Sequence, residues 1–259
     1  MTAFTVGTAL LGLFVGSFLN VVIYRVPRQE SVVTPRSRCP QCETQLAWYD
    51  NVPAVSWVAL RGRCRTCEAR VSVRYPLIEL TTAVLFGVMA WRFGPVWELP
   101  AFLYLAAVGV ALAAIDLDVR RLPDVIVLPS YGVAAALLGV PALVDGEYMA
   151  LVRMVAGGAA LYAFYYVLMV VRPGGMGFGD VKLAGVLGMY LAWLSWGSLV
   201  VGGFAAFLIG GVAGLVLIGT GRAGRRSAIP FGPYMLVGAL VGVLWGTQIS
   251  SAYAHMLGL

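Results

Sequence analysis

Charged residues are scarce in this sequence. Only 12% of its 259 residues are Asp, Glu, Lys or Arg, whereas 60% are hydrophobic. A chain of this composition cannot hide its apolar surface in one water-soluble core, so a soluble globular protein is excluded. Several apolar segments reach the about 20 residues that a helix needs to cross roughly 30 Å of hydrocarbon. The composition therefore predicts an all-α polytopic membrane protein.

Three other features are missing or nearly so. The only histidine, His255, lies in the C-terminal tail, where we expect a solvated surface group with no role in chemistry. No G-x-G-x-x-G motif follows a strand-like run, so no residue pattern indicates a nucleotide site. The start of the chain also lacks the basic region of a cleavable signal peptide. We therefore expect residues 1–24 to form the first transmembrane helix.

The hydropathy pattern predicts about eight transmembrane helices. They are expected at residues 3–24, 77–91, 99–115, 125–143, 149–171, 181–193, 199–218 and 234–249. With alternating crossings, 16 of the 18 basic residues fall on one side, including those of the loop 221–226, and only Arg92 and Arg153 fall toward the other. The net charge of +6 thus reflects membrane topology, and no nucleic-acid partner is predicted. The positive-inside rule places the basic side in the cytoplasm and both termini outside.

Residues 25–75 form the only sizeable polar segment and contain all four cysteines. They are arranged as two C-x-x-C pairs, Cys39 with Cys42 and Cys64 with Cys67, separated by 21 residues. This spacing is typical of four-cysteine zinc sites, in which thiolates bind one ion. Two disulfides are the alternative, but they require an oxidising compartment rather than the cytoplasm. We therefore predict a small cytoplasmic zinc-binding domain at 25–75, followed by a seven-helix membrane domain at 76–259.

Two features adjoin the cysteine pairs. The aromatic stretch from Trp48 to Pro53, together with Trp57, is expected to pack at the membrane interface. Glu79 lies one turn inside the second predicted span, where an ionisable group is costly and usually functional. It could bind substrate, but we favour an ion pair with a nearby arginine.

Two aspartates lie where long apolar segments meet short polar ones. Asp116 ends the third predicted span, and Asp180 ends the glycine-rich stretch that contains Gly177 and Gly179. Those glycines would let a substrate peptide or another helix approach the carboxylate closely. If the two aspartates were paired, one would stay protonated while the other acted as a base, as in aspartic proteases. The structural alternative is that each aspartate caps a helix, an interpretation that also suits Asp124.

Five sequence features in this order resemble the bacterial type IV prepilin peptidases, which are aspartic membrane proteases. The features are residues 16–22, the paired C-x-x-C segment, residues 75–80, Asp116 with the stretch 122–124, and residues 177–182. The resemblance covers nearly the whole chain. The Gly177-x-Gly179-Asp180 pattern alone would be weak, whereas all five features in this order are highly specific.

The resemblance implies a catalytic pair of Asp116 and Asp180. The residues in supporting roles are Gly177, Gly179, Asp124, Lys182 and Glu79. Asp118 competes with Asp116 on sequence alone, although helix geometry turns the two to different faces. The family removes a basic leader from type IV prepilins and type II secretion pseudopilins at the cytoplasmic face of the bacterial inner membrane. It then N-methylates the new terminal residue with S-adenosylmethionine, an activity we connect with the cysteine-bearing segment.

Two other functions are consistent with parts of the pattern. A transporter would also place acidic residues such as Asp116 and Asp180 at helix ends to bind a proton or cation. However, its sites are expected at the bilayer midplane, and no inverted repeat is visible in the sequence. A membrane scaffold with a zinc domain that docks a partner would use both aspartates only as caps. The sequence leaves the oligomeric state open.

Overall fold

The computed structural model describes residues 1–39, 41–172, 174–221, 230–256 and 258, and most of the described residues are helical. It contains no β-strand, only isolated antiparallel bridges between Arg38 and Gln45 and between Arg63 and Arg70. The α-helices of the described residues are α1 (Thr2–Arg25), α2 (Val55–Ala59), α3 (Arg74–Phe93), α4 (Leu99–Val119), α5 (Asp124–Asp145), α6 (Tyr148–Val171), α7 (Phe178–Leu194), α8 (Trp196–Gly219) and α9 (Gly232–Met256). The predicted all-α class is confirmed.

Seven of the helices in the described ranges are long and apolar enough to cross a membrane, namely α1, α3, α4, α5, α6, α8 and α9. The remaining predicted span corresponds to α7, which has 17 residues. Each of the eight predicted segments thus coincides with a long helix. The basic residues Arg222, Arg225 and Arg226 of the predicted loop lie outside the described residues.

The chain divides into two compact units, Met1–Ile115 and Asp116–Leu259. In the first unit, α1 packs closely against α3 because small residues of α1 face it. A Cβ at Gly12 would lie 2.7 Å from Ala83 Cα, and one at Gly16 would lie 2.7 Å from Glu79 Cα. Gly12 and Gly16 therefore allow the two helix backbones to approach closely. The separate domains predicted for 1–24, 25–75 and 76–259 stay a prediction.

In the second unit, α7 is buried on almost all sides. It contacts α6 through glycines: a Cβ at Gly188 would lie 2.9 Å from Gly158 Cα. Helices α8 and α9 form a second close contact, since a Cβ at Gly242 would lie 2.9 Å from Gly202 Cα. Small residues let helix backbones approach closely within a membrane, where dispersion forces replace the hydrophobic effect between helices. These contacts fix the starts of α7 and α9, which carry the site described next.

Candidate active site and metal centre

Asp116 lies in the last turn of α4, and only 5% of its surface is exposed. Its Oδ2 accepts a hydrogen bond from the backbone N–H of Gly232 at 3.1 Å. Gly232 begins α9, so its N–H has no partner within the helix and is free to bind the carboxylate, which the helix dipole also favours. A Cβ at residue 232 would lie 2.8 Å from the same oxygen. The neighbouring Asp118 is exposed instead, so burial distinguishes the two candidates that the sequence could not separate.

Asp180 lies in the first turn of α7 and is 9% exposed. Its own N–H donates to the Gly177 carbonyl at 3.1 Å, and the Gly177 N–H donates to Asp180 Oδ2 at 3.0 Å. The side chain therefore does cap the helix, as the structural alternative proposed. Capping does not require burial, however, so it leaves the buried position of this carboxylate unexplained.

Asp116 and Asp180 lie near each other within residues 116–259, because the backbone beside each of them contacts the same leucine. Leu122 lies against the backbone that holds each of them: a Cβ at Gly232 would lie 3.4 Å from Leu122 Cδ2, and one at Gly179 would lie 3.1 Å from Leu122 Cβ. The fold thus brings the two predicted carboxylates together on either side of one buried leucine. Their catalytic role stays a prediction.

The two glycines of the predicted motif have different roles. At Gly179, the close neighbour is Leu122 of the same chain, so the missing side chain makes room for the protein itself. Gly177 contributes its backbone N–H to Asp180, and a Cβ there would meet Asp180 Oδ2 at an ordinary 3.5 Å. A close approach is therefore found at Gly179, but its partner is Leu122 between α4 and α5, whereas the predicted approach of substrate stays a prediction.

Asp124 and Lys182 form an ion pair beside the two carboxylates. Lys182 Nζ lies 2.7 Å from Asp124 Oδ1 and 2.8 Å from Oδ2, and 4.7 Å from the centre of the Phe178 ring. The lysine side chain is 18% exposed and the aspartate side chain 55%. The pair ties the first residue of α5 to the first turns of α7.

An aromatic cluster adjoins the site and was not anticipated from the sequence. Tyr165 of α6 is 1% exposed, and the charge of Asp180 acts on it. Its ring lies 5.4 Å from that of Phe207 and 6.2 Å from that of Phe231. Phe231 directly precedes Gly232, between Pro230 and Pro233. Two prolines with a glycine between them at the start of a helix could have indicated from the sequence that the backbone at Gly232 approaches another group closely.

Glu79 belongs to the first unit and is 7% exposed. Its Oε2 accepts a hydrogen bond from the Ala54 N–H at 2.7 Å, and the side chains of Ser17 and Asn20 also hydrogen-bond to it. The expected arginine is not among these partners in the described part of the chain. The carboxylate instead attaches the cysteine-bearing segment to α3.

The four cysteines form one cluster in which all sulfur atoms lie within 4.8 Å of one another. All four are free thiols, and Cys39 Sγ lies 3.7 Å from Cys67 Sγ. A tetrahedral zinc ion with sulfur ligands at about 2.3 Å would set neighbouring sulfurs about 3.8 Å apart. The donor set therefore suits Zn²⁺, and the arrangement differs from the alternative of two disulfides.

The cluster is built from two copies of one turn. Thr44 C=O accepts from Cys39 N–H at 3.0 Å, and Ala69 C=O accepts from Cys64 N–H at 2.9 Å. Glu43 and Glu68 occupy the same place in each turn, and both have a φ of 55°. A hydrogen bond with Thr44 lowers the pKa of the Cys42 thiol to about 6, which favours the thiolate that a metal requires.

Comparisons with known proteins agree with these observations. The profile of the bacterial peptidase A24 N-terminal domain matches residues 10–93, and that of the type IV leader peptidase family matches residues 103–219. The chain is 36% identical to a prepilin leader peptidase/N-methyltransferase of Pseudomonas aeruginosa, over 99% of this chain and 95% of that protein. A protein of the same name from Stutzerimonas stutzeri is 37% identical, over 99% and 96%. One from Myxococcus xanthus is 45% identical, over 86% and 66%. No solved structure matches the chain significantly.

Proposed function

The chain belongs to the type IV leader peptidase family, and we propose that it is a membrane aspartic endopeptidase that removes the basic leader from type IV prepilins and type II secretion pseudopilins. The observation that carries the proposal is the buried pair of Asp116 and Asp180. Each carboxylate accepts one backbone N–H from a glycine at the start of a helix. An ionisable pair held this firmly inside a membrane protein is the arrangement that acid–base catalysis requires.

Cleavage would proceed by direct attack of water on the scissile carbonyl carbon. One carboxylate of the pair takes a proton from the water, while the partner donates its proton to the carbonyl oxygen. Collapse of the tetrahedral intermediate breaks the C–N bond, and the leaving amine takes up a proton from the pair. No covalent enzyme intermediate forms. The N–H groups of Gly232 and Gly177 keep the two carboxylates in position throughout.

We place the enzyme in the bacterial inner membrane, with the site facing the cytoplasm. Arg120 and Arg121 follow Asp116, and Arg172 precedes the stretch that leads to Asp180. Basic residues beside both carboxylates are what the positive-inside rule expects on the cytoplasmic side. A basic leader would remain with the anionic headgroups there, while the apolar helix of the prepilin lies in the bilayer.

The proposed second activity is N-methylation of the new terminal residue, with S-adenosylmethionine as the methyl donor. Its support is the name shared by the relatives above, which are prepilin leader peptidase/N-methyltransferases. The segment that carries the four cysteines lies within the stretch matched by the A24 N-terminal profile. A zinc ion there would act as a structural staple for a segment too small to fold on a core of its own.

The test is cleavage of a purified prepilin in the presence of a labelled methyl donor, which reports both activities. Asp116→Asn and Asp180→Asn should each reduce leader removal by at least about 100-fold, because an amide cannot exchange the proton that general acid–base catalysis needs. Both variants should reach the membrane in normal amounts, since Asn caps a helix nearly as well as Asp.

Asp145→Asn is the matched control, because Asp145 ends α5 in an exposed position and should leave cleavage unchanged. Normal cleavage by the Asp116 and Asp180 variants would contradict the proposed catalytic pair. A transporter or a scaffold with capping aspartates would instead give no cleavage even with the unchanged protein.

A further inference from the structure

A group of large apolar side chains is exposed on the cysteine-bearing segment. Trp48 is 82% exposed, Val55 64% and Val58 68%, and the two valines lie one turn apart on α2. We call these three residues the exposed patch. They lie outside the helices that are long enough to span a membrane. Apolar side chains gathered on the surface of a polar segment indicate a contact with a partner or a membrane.

The depth of this segment follows from its hydrogen bond to α3. With its 20 residues, α3 is about 30 Å long, which matches the hydrocarbon thickness of a bilayer. Glu79 is reached about 7.5 Å after the start of that helix at 1.5 Å per residue. The Glu79 side chain points back toward the start of its helix, and its Oε2 binds the Ala54 N–H at 2.7 Å, so Ala54 and the adjoining Val55 are held close to the level at which α3 begins.

A contact between α1 and α3 gives the same level independently. Asn20, which lies before the end of α1, donates from Nδ2 to the Tyr75 carbonyl near the start of α3 at 3.2 Å. The start of α3 is therefore level with Asn20, and the last five residues of α1 extend beyond it. The segment between them returns to this boundary at Ala54 rather than standing away from it.

The chemistry of the patch suits a lipid boundary. Tryptophan is enriched at the level of the headgroups, where its ring meets both apolar and wet surroundings. Arg61 and Arg63 follow α2 directly and can bind anionic headgroups. Trp57, in contrast, points inward: its Nε1 donates to the Val71 carbonyl at 3.1 Å, and a Cβ at Gly62 would lie 2.8 Å from its ring. The two tryptophans therefore face opposite environments.

We propose that residues 48–59 are inserted into the boundary between headgroups and acyl chains of the membrane that α1 and α3 cross, with Trp48, Val55 and Val58 in contact with lipid. The cysteine-bearing segment is then seated on the bilayer and is not a freely exposed domain. This holds whichever reaction the second unit catalyses, because it depends only on contacts within residues 1–115.

Fluorine NMR of the full chain in lipid nanodiscs tests the proposal. The chain has seven tryptophans, all replaced by 5-fluorotryptophan, and Trp48→Phe and Trp57→Phe assign the two signals. A nitroxide on the lipid acyl chain should broaden the Trp48 signal as it broadens that of Trp245, an exposed residue within α9, whose signal Trp245→Phe assigns. A water-soluble gadolinium chelate should broaden Trp48 less than a fluorotryptophan tripeptide in the buffer. If the gadolinium chelate broadened the Trp48 signal as much as that of the tripeptide, and the lipid nitroxide did not broaden it, the patch would lie in water. A soluble protein would then be its partner, and the proposal would be overturned.

A second variant separates insertion from folding. Val55→Asp/Val58→Asp should abolish the response of Trp48 to the lipid nitroxide, because charge is costly below the headgroups. The Trp57 signal should keep its chemical shift if the segment is still folded. Val144→Asp, the same substitution at an 80% exposed valine of α5, should leave Trp48 unchanged. If Trp48 kept its lipid response in the double variant, the two valines would not face lipid.

Discussion

Gly232 shows how much of the candidate site depends on backbone atoms. Its N–H reaches the Asp116 carboxylate across 116 positions of sequence, and the space beside it is too small for a methyl group. A donor fixed in the backbone has no rotamers to lose, so it holds a carboxylate more rigidly than a flexible side chain would. The position of Asp116 therefore depends on the residue at which α9 begins.

We predict that Gly232→Ala lowers the rate of leader cleavage by about 100-fold, the effect expected when a reacting group shifts by roughly 1 Å. The added Cβ would lie 2.8 Å from Asp116 Oδ2, so the carboxylate must move. Single-turnover cleavage of a prepilin measures the effect. The control is Gly132→Ala in α5, where a Cβ meets nothing within 4 Å. Equal rates for the two variants would show that the contact is unimportant.

The sequence predicted individual residues well where local pattern was sufficient. Asp116 and Asp180 were identifiable because a carboxylate at the end of an apolar run is unusual. The partners of those carboxylates were not, since Gly232 and Leu122 meet them only after the helices pack. Glu79 illustrates the same limit. The sequence shows that an ionisable side chain in an apolar helix is energetically costly, but the hydrogen bond of Glu79 to Ala54 depends on the path of a loop, which sequence periodicity does not reveal.

At the scale of the element, Arg153 accounts for one exception to the charge distribution. It lies near the start of α6, yet its Nε and Nη2 each lie 3.3 Å from carbonyls at the end of α7, those of Ala192 and Trp193. Carbonyls at a helix end lack partners within the helix, and a cation there also complements the helix dipole. The arginine is thus retained on the less basic side by a structural contact.

We expect Arg153→Leu to lower the free energy of unfolding by about 1–3 kcal/mol, because it removes hydrogen bonds from a charged donor and leaves two carbonyls unpaired. Thermal unfolding in detergent measures the change. The melting temperature of Arg153→Lys should lie between those of the unchanged protein and Arg153→Leu. An ammonium group keeps the charge but lacks the planar guanidinium that reaches both carbonyls. A melting temperature equal to that of the unchanged protein for Arg153→Leu would contradict this role.

The two cysteine turns are a second feature at the scale of the element. Because both turns have the same hydrogen-bonding pattern, the spacing of the cysteines was sufficient to predict the cluster. Each turn aims two thiols at a common point, because the N–H of its first cysteine and the backbone after its second are fixed by the same hydrogen bonds. The predicted ligands Cys39, Cys42, Cys64 and Cys67 thus need no contribution from the membrane helices.

We predict about one zinc ion per chain in the purified protein, lost in Cys39→Ser and in Cys64→Ser because a structural site needs four ligands. Elemental analysis by mass spectrometry measures the metal. Thr44→Val keeps all four thiols but removes the hydrogen bond to Cys42 Sγ at 3.3 Å. It should weaken binding by about 10- to 100-fold against a competing chelator, as outer-sphere changes do. Zinc retained in both serine variants would refute the four-thiolate site.

At the scale of the whole molecule, hydropathy predicted the helices but not their neighbours. Apolar periodicity is weak in helices that face lipid on one side and protein on the other, because both surroundings are apolar. Which helices pair was decided by glycines instead, as at Gly16 against α3 and Gly188 against α6. Glycines are frequent in such helices, with 32 in this chain, and their positions alone did not reveal which of them form contacts.

The number of crossings depends on α7. Its 17 residues give a length of about 26 Å, near the lower limit for a spanning helix. It is buried among its neighbours along nearly its whole length, so it does not have to match the surrounding lipid at every turn. We therefore expect α7 to cross the membrane as the eighth span. If it did not cross, every later loop would change sides.

The C-terminus distinguishes these two topologies, because eight crossings return it to the side of the N-terminus and seven do not. With the basic segment 25–75 in the cytoplasm, we predict that alkaline phosphatase fused after His255 is active and that green fluorescent protein at the same position is dark. Fusions at Gly146 should give the same result as those after His255. After Arg172, alkaline phosphatase should be inactive and green fluorescent protein should be fluorescent. A fluorescent C-terminal fusion beside a normal Gly146 result would mean that α7 fails to cross, which would place the start of α9 and Gly232 on the opposite side from Asp116.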